Sequence, residues 1–421
     1  MTDGPIDDGS RPLAILSAPG SRGDVNPMVG IGSELRRRGF DVAITLAELY
    51  CSIAEEAGLY AKSLIDSARF ESVMADPNVW HFVWGMRKVL QSVAAEYAVP
   101  HFEWVRSIHR PGRTVLVSHP LDFGSRVFRD FEPSTKLVDI HLAPVMLRTK
   151  EDPPQLTPKG IGPGRSRSTF DLMYWIADKL ILDPMLGRPL NRLRKQLGLD
   201  PVKRIMHQWW LSPDAVVAMY PDWFAPATRS FLPQLCHAGF PLNDASDAGF
   251  EVPSDRPVVF TGGTANQHSR AFFELAANAC VKLGVAGILL SQHDACFPKR
   301  LPNSVRGMNY APLGRLLPHC RAIVHHGGIG TTSQAIMCGV PQLVRPMAFD
   351  QFDNARQVVA LNAGQKLPRD QELTRSLGEL LANDSVQESV NALARRPDGA
   401  SGVQRAADLI ERVAGHPTGT L

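Results

Sequence analysis

The stretch that decides the fold is Ala322–Gln351, AIVHHGGIGTTSQAIMCGVPQLVRPMAFDQ. An apolar run of strand length ends in His325 and His326. Gly327, Gly328, Ile329, Gly330, Thr331 and Thr332 follow, a helical run continues through Cys338, and Gln342–Arg345 reads as the next strand. Glycines let a backbone approach a ligand closely and adopt positive φ. A helix N-terminus offers free N–H groups and a positive dipole, which suit phosphate. Thr331 and Thr332 add hydroxyl donors, and His326 can donate to a phosphate oxygen. The same pattern also serves as a tight connection that binds nothing. It is not a dinucleotide fingerprint, because the order Gly328-x-Gly330-x-x-Ser333 lacks the third glycine and stands late in the chain.

Outward from this turn, strands and helices alternate. Leu13–Ala18 is a short apolar run, a helix is expected to open at Pro27 and stop at Gly39, and Asp41–Thr45 reads as a second strand. Leu49–Ala57 reads as a helix, Thr114–Ser118 and Leu137–Leu142 as strands, and Phe170–Leu197 as a long helical stretch after a Pro-, Gly- and Arg-rich loop over Glu151–Ser168. Pro257–Phe260, Arg270–Leu283 and Ala286–Leu290 open a second strand-helix-strand unit. Alternation of this kind argues for parallel sheets with helices on both faces. The expected organisation is two doubly wound α/β domains: residues 1–240, a linker over 241–255, and residues 256–421, with the last helix free to pack back on the first domain. Open α/β sheets bind ligands at the carboxyl ends of their strands, so a cleft between two facing domains is the expected site.

The bulk numbers narrow the function. The chain has 421 residues, 44% hydrophobic and 21% charged, with a net charge of +3. That is a globular composition with no call for nucleic acid as a partner. Six cysteines lie at irregular spacing without a C-x-x-C pair, which reads as free thiols in a reducing compartment. Residues 1–10 lack a basic and apolar leader pattern, and no apolar run reaches the ~20 residues that span a bilayer. The expectation is a cytoplasmic protein, with peripheral contact to a membrane surface left open.

With these residues in view, the chain resembles the family 1 nucleotide-sugar glycosyltransferases of GT-B fold, two Rossmann-like domains facing a central cleft. The resemblance rests on His326-Gly327-Gly328, Gly339-Val340-Pro341, Pro346 and Asp350-Gln351, at the family's internal spacing. It implies that His326, Gly328, Gly330, Thr331 and Thr332 hold a diphosphate and that Asp350 and Gln351 bond the donor sugar. Tyr310, in Tyr310-Ala311-Pro312-Leu313, stands where the family stacks an aromatic ring on the nucleobase. Leu313 departs from the family's glutamine and removes a bond to the base. Gly263-Thr264 matches a second phosphate-side turn. Gln334 replaces a glutamate that binds ribose hydroxyls, which favours a thymidine donor over a uridine one.

The family's first loop carries a histidine base. Here Gly23-Asp24-Val25-Asn26-Pro27 puts Asp24 in that place, as some natural-product members do, with an N-cap role as the structural alternative. The helix dipole lowers the basicity of such a carboxylate and burial raises it. His119 and Asp122, after the Thr114–Ser118 strand, are the reserve bases. Trp80 and Trp84, with Phe82, Phe102 and Trp104 nearby, offer an apolar acceptor pocket or ordinary core packing. No Asp-x-Asp stands for a divalent ion, and Asp350 and Asp353 read as sugar-side groups.

The implied reaction is metal-independent inverting transfer of a hexose or deoxyhexose, without a cofactor. The donor would be a dTDP- or UDP-sugar, and the acceptor a hydroxyl of a lipid or small molecule. Within the family, the chain most resembles the rhamnosyltransferases of rhamnolipid synthesis, a likeness carried by Pro201–Pro226, His237–Ser246 and Tyr310–Cys320. A nucleotide-sugar epimerase of the same fold and a non-catalytic nucleotide-sugar-binding partner are the alternatives.

Overall fold

The computed structural model describes residues 10–80, 84–90, 96–149, 151, 153–158, 167–228, 232–242, 250–264 and 268–415, without the side chains at 77, 80, 84, 86, 208 and 227. It divides into two compact units. The first takes residues 1–154, 161–241 and 401–421, and the second takes 155–160 and 242–400.

Among the described residues of the first unit seven strands pair in parallel: β1 Leu13–Ala18, β2 Asp41–Ala47, β3 Tyr60–Ile65, β4 Thr114–Ser118, β5 Lys136–His141, β6 Ala215–Ala218 and β7 Leu235–His237. Their order is β3-β2-β1-β4-β5-β6-β7. Every residue of β1, β2 and β4 is buried. A parallel sheet covered on both faces demands such unbroken apolar runs. The order reverses between β1 and β4, and this switch point is where an open α/β sheet leaves a crevice at its strand ends.

The second unit repeats the plan with six parallel strands among its described residues: β8 Val258–Thr261, β9 Gly287–Leu290, β10 Val305–Met308, β11 Ala322–His325, β12 Gln342–Val344 and β13 Gly364–Lys366. Their order is β10-β9-β8-β11-β12-β13, so the reversal falls between β8 and β11. The Arg270–Leu283 helix buries Phe272, Phe273, Ala276 and Cys280 against Val258, Phe260 and Val324. The fold is thus the expected one, two doubly wound parallel-sheet α/β units.

Several local expectations are corrected. The first helix opens at Arg22, not at Pro27, and runs to Arg37. The Ser21 N–H donates to Asp24 Oδ2 (2.7 Å) and fixes the first turn from upstream. Pro27 sits one turn inside, where its missing N–H forfeits a single bond. The Leu49–Ala57 helix divides into a 3₁₀ turn at Glu48–Tyr50 and a helix at Cys51–Glu56. The long helical stretch is confirmed but contains a π-helical turn at Asp178–Leu182, between Arg167–Ala177 and Asp183–Gln196. The final helix, Gly402–Val413, belongs to the first unit. Arg38 Nη1 meets Asp408 (2.6 Å) and Glu411 (3.0 Å) on it. Glycine is required at 402, since a Cβ there would lie 2.3 Å from the Gly239 carbonyl oxygen.

Candidate functional site

At the switch point of the first unit, the β1 turn presents Asp24 and the end of β4 presents His119. His119 Nε2 lies 3.2 Å from Asp24 Oδ1. The tautomer follows from the other ring nitrogen. Nδ1 accepts the Leu121 N–H (3.2 Å), so the proton sits on Nε2 and is donated to Asp24. Asp24 Oδ2 also accepts the Ser21 N–H (2.7 Å) and hydroxyl (3.2 Å). Burial alone would raise the Asp24 carboxyl, but His119 and Ser21 outweigh it and its pKa lies below the ordinary 3.8. The Asp24 side chain is 30% exposed and that of His119 only 8%, so the carboxylate is the open end of the pair. The turn has room for it because residue 20 is glycine. A Cβ there would stand 2.1 Å from Asp24 Oδ2.

Asp122 is not open in this way. Its side chain is fully buried beneath the pair. Oδ1 accepts the Ser125 N–H (2.9 Å) at the start of the Phe123–Phe131 helix. Oδ2 lies 3.1 Å from His101 Nε2, a charge contact rather than an aligned bond, because that nitrogen is directed at Ser125 Oγ (2.9 Å). Burial opposes ionisation, yet His101, Ser125 and Ser17 hold the Asp122 carboxyl down at about 2. Ser17 Oγ in turn accepts the His119 N–H (3.1 Å). Of the two reserve bases, then, His119 stands beside Asp24 and Asp122 lies behind it. Deeper still, burial pushes Asp139 up to about 7 despite the Ser118 hydroxyl (2.6 Å) and the Ser212 N–H that face it.

At the switch point of the second unit, His326 follows β11 and Gly263 follows β8. A Cβ on Gly263 (φ +89°) would lie 2.7 Å from His326 Cε1, and one on Gly328 would lie 2.5 Å from Nε2. The imidazole is therefore wedged between two bare backbones. Its Nδ1 is buried without a hydrogen-bond partner among the described residues, and burial depresses its pKa to about 4, so it is a neutral ring with one N–H to give. His325, by contrast, is structural. Its Nδ1 accepts the Gly327 N–H (3.1 Å) and its Nε2 bonds Gln342 Oε1 (2.9 Å).

The Ile329–Met337 helix starts at this wedge, with Gly328 as its N-cap. Helix geometry leaves the N–H groups of its first turn without intrahelical acceptors. Gly330 is exposed, and a Cβ there would meet nothing within 4 Å. Thr331 is half-buried beside it, whereas Thr332 is fully buried and turned inward. Gln334 is half-buried on the next turn, and Thr264, on the Gly263 turn, is exposed.

The Asp350 loop is fixed by Asn354, a residue with no role in the expected site. Asn354 Nδ2 donates to Asp350 Oδ2 (2.7 Å) and to the Gly327 carbonyl (2.8 Å), tying the acid to the glycine turn. Phe349 takes φ +55°, a strained left-handed conformation for a bulky residue, immediately before Asp350. Gln351 is buried, with Oε1 accepting the Met347 (2.8 Å) and Ala348 (3.0 Å) N–H groups, so its carbonyl end is spent on its own loop. Asp353 is buried too and is bonded to Arg356 (2.8 Å) and the Gln155 N–H (3.0 Å), which corrects its reading as a sugar-side group. A one-turn spacing, Asp350 to Asn354, was the available signal for the clamp.

Tyr310 stands 40% exposed after β10, not packed in a core. Among the acceptor candidates, Phe102 is fully buried in the first unit's core and Trp104 packs against it, so these two are core residues. Trp80 closes a 3₁₀ turn and Trp84 opens a short helix, but their side chains lie outside the described residues, as does Phe82 entirely.

Known proteins share this architecture. Residues 285–401 match the family model described as erythromycin biosynthesis protein CIII-like, C-terminal domain. The chain is 25% identical to an uncharacterized glycosyltransferase of Mycobacterium bovis over 95% of its own length and 98% of that protein's. It is 38% identical to the elloramycin glycosyltransferase of Streptomyces olivaceus over 38% of this chain and 43% of the other. Among solved structures, the glycotransferase of kitacinnamycin superposes with a TM-score of 0.72 at 18% identity, covering 96% of this chain and 99% of that one. The spinosyn rhamnosyltransferase complexed with thymidine diphosphate superposes with a TM-score of 0.63 at 20% identity, covering 96% and 98%. These likenesses establish the GT-B fold.

Proposed function

We propose that this GT-B glycosyltransferase of the natural-product type transfers a deoxyhexose or hexose, with inversion, from a nucleoside diphosphate sugar to a hydroxyl of a small or lipidic acceptor. The observation that carries the reading is the His326 wedge. A neutral imidazole with a buried unpartnered nitrogen stands between Gly263 and Gly328 at the start of a helix, where a diphosphate gains both N–H donors and dipole. Thymidine is the favoured nucleoside, since Gln334 stands where a glutamate would bond the 2′-hydroxyl. A structural neighbour was also solved with thymidine diphosphate. Rhamnose is the favoured sugar on the resemblance to the rhamnosyltransferases of rhamnolipid synthesis.

In the reaction, the acceptor oxygen attacks the anomeric carbon as the bond from that carbon to the diphosphate breaks. The electron pair leaves with the diphosphate, where His326 and the first-turn N–H groups of Ile329–Met337 stabilise it without a metal ion or cofactor. Asp24 takes the hydroxyl proton, with His119 Nε2–H and the Ser21 N–H holding the carboxylate in one orientation. Asp350 bonds the donor sugar's hydroxyls, held in place by Asn354.

The test is a thermal-shift panel of dTDP, UDP, GDP and their sugars, with His326→Ala as control. A dTDP-selective shift lost in the variant supports the reading. No shift with any nucleotide refutes it. Donor turnover without an acceptor would point instead to an epimerase, and binding without turnover across an acceptor panel to a non-catalytic partner.

A further inference from the structure

The helical run from Arg167 to Gln196 carries an apolar cluster on its outer side. Its inner side is ordinary: Phe170, Leu182, Leu186, Leu190 and Leu193 are buried, the last four in the first unit's core. On the outer side Leu172, Trp175, Ile176, Leu180 and Ile181 are all exposed, Leu180 to 70%. Other exposed large apolar residues among those described, such as Leu49, Val99 and Val359, are scattered along the sequence, and scattered ones need no explanation. Here five fall within ten residues, two of them, Leu180 and Ile181, inside the π-helical turn at Asp178–Leu182. A π turn takes in one more residue than an α turn, and such turns are frequent at functional sites.

The exposed charge along the same run is one-sided. Lys179, Arg188, Arg192 and Lys195 are exposed, and Asp171 is the single exposed acid from 167 to 196. The other two acids are occupied inward: Asp178 pairs with Arg148 (2.6 Å), and Asp183 accepts the Arg204 and Ile205 N–H groups (2.8 and 3.0 Å). Lys179 lies over the Trp175 ring at 5.9 Å. A bulky apolar cluster that includes a tryptophan, with a basic continuation, is the composition of a helix that lies in a lipid interface. Among the described residues no helix is long and apolar enough to cross a membrane.

We propose that this face docks on an anionic lipid surface. The apolar side chains supply insertion, and Lys179, Arg188, Arg192 and Lys195 supply attraction to the headgroups. The cluster stands out from one short helical stretch, which a fluid lipid surface can receive without a matching pocket. The inference stands independently of the sugar-transfer reading.

The test is co-sedimentation of the full chain with vesicles of phosphatidylglycerol and phosphatidylcholine in equal parts, against phosphatidylcholine alone. Two exposed-site variants are compared, Leu180→Glu/Ile181→Glu and Arg188→Glu/Arg192→Glu, each checked for an unchanged melting temperature. The expected result is binding to the anionic vesicles that weakens with salt and falls at least about tenfold on phosphatidylcholine and in either variant. No binding to anionic vesicles, or binding by both variants equal to that of the wild type, overturns the proposal. So does a wild-type dimer in light scattering that Leu180→Glu/Ile181→Glu dissociates while vesicles bind neither form, because the occupant is then a second copy of the protein.

Discussion

Replacing Gly263 by alanine should act on nucleotide binding through His326, although residue 263 contributes no side chain of its own. The new Cβ would stand 2.7 Å from His326 Cε1 and 2.8 Å from Nε2, where ordinary contact begins at 3.4 Å. The ring must then retreat by roughly 0.7 Å, the difference between 3.4 and 2.7 Å, from a position that also packs so close to Gly328 that a Cβ there would lie 2.5 Å from Nε2. Losing a hydrogen bond to a charged diphosphate costs about 1.5–3 kcal/mol, which weakens dTDP binding roughly 10- to 150-fold. The positive φ of +89° adds a separate folding cost of about 1–2 kcal/mol, seen as a lower melting temperature. Isothermal titration with dTDP, well below the melting transition, separates the two. Gly263→Ala should resemble His326→Ala, and the double variant should be no worse than either single one. Wild-type affinity in Gly263→Ala, or losses that simply add in the double variant, would refute the wedge. Wild-type affinity in His326→Ala would instead refute the donor site itself.

Asp24→Asn keeps an acceptor for the Ser21 N–H but removes the base, so kcat should drop about 10²- to 10⁴-fold with little change in donor KM. Because the Asp24 carboxyl lies below 3.8, kcat/KM in the wild type should stay flat from pH 8 down to about 5. An acid limb near pH 6.5 would point to an imidazole base instead. His326, with a pKa of about 4, stays neutral across the same range, so affinity for a dTDP-sugar should not rise as pH falls to about 5.5; a rise in titration calorimetry would contradict a neutral donor. Asp139, raised to about 7 when folded and near 3.9 when unfolded, binds more protons in the native state between those values, so its contribution is lost as pH rises through 7. Asp139→Asn should therefore gain more melting temperature at pH 8 than at pH 5, and an equal change at both would show Asp139 charged throughout.

The central strands were legible because burial on both faces forces an apolar run: β1, β4 and β11 stand out as LAILSA, TVLVS and AIVH. The strands that the sequence pattern did not reveal are mostly short, partly exposed or both. β3, with alternating exposed residues, and β7 and β13, of three residues each, end their sheets, and β10 exposes Arg306 and Gly307. Such strands are recruited by a neighbour's backbone, which local pattern does not announce. The opening of the first helix was misplaced for a related reason. Proline is favoured at a helix start, but the Ser21–Asp24 bonds begin the turn five residues earlier.

The sequence alone determined the class of fold and the identity of the turns, because periodicity, glycines and helix starts are local properties of the chain. Only tertiary structure decided which residues meet. His119 reaches Asp24 across 95 residues because β1 and β4 are neighbours at a switch point, and Gly263 reaches His326 because β8 and β11 are neighbours at the other. Tertiary structure also separated look-alike residues. Asp24 is open while Asp122 is buried against His101, Thr331 is partly open while Thr332 is buried, and Asp350 is held by Asn354 while Asp353 is spent on Arg356. Residue type and spacing cannot make those distinctions, because burial and hydrogen-bond partners belong to the packed protein and not to the order of its residues.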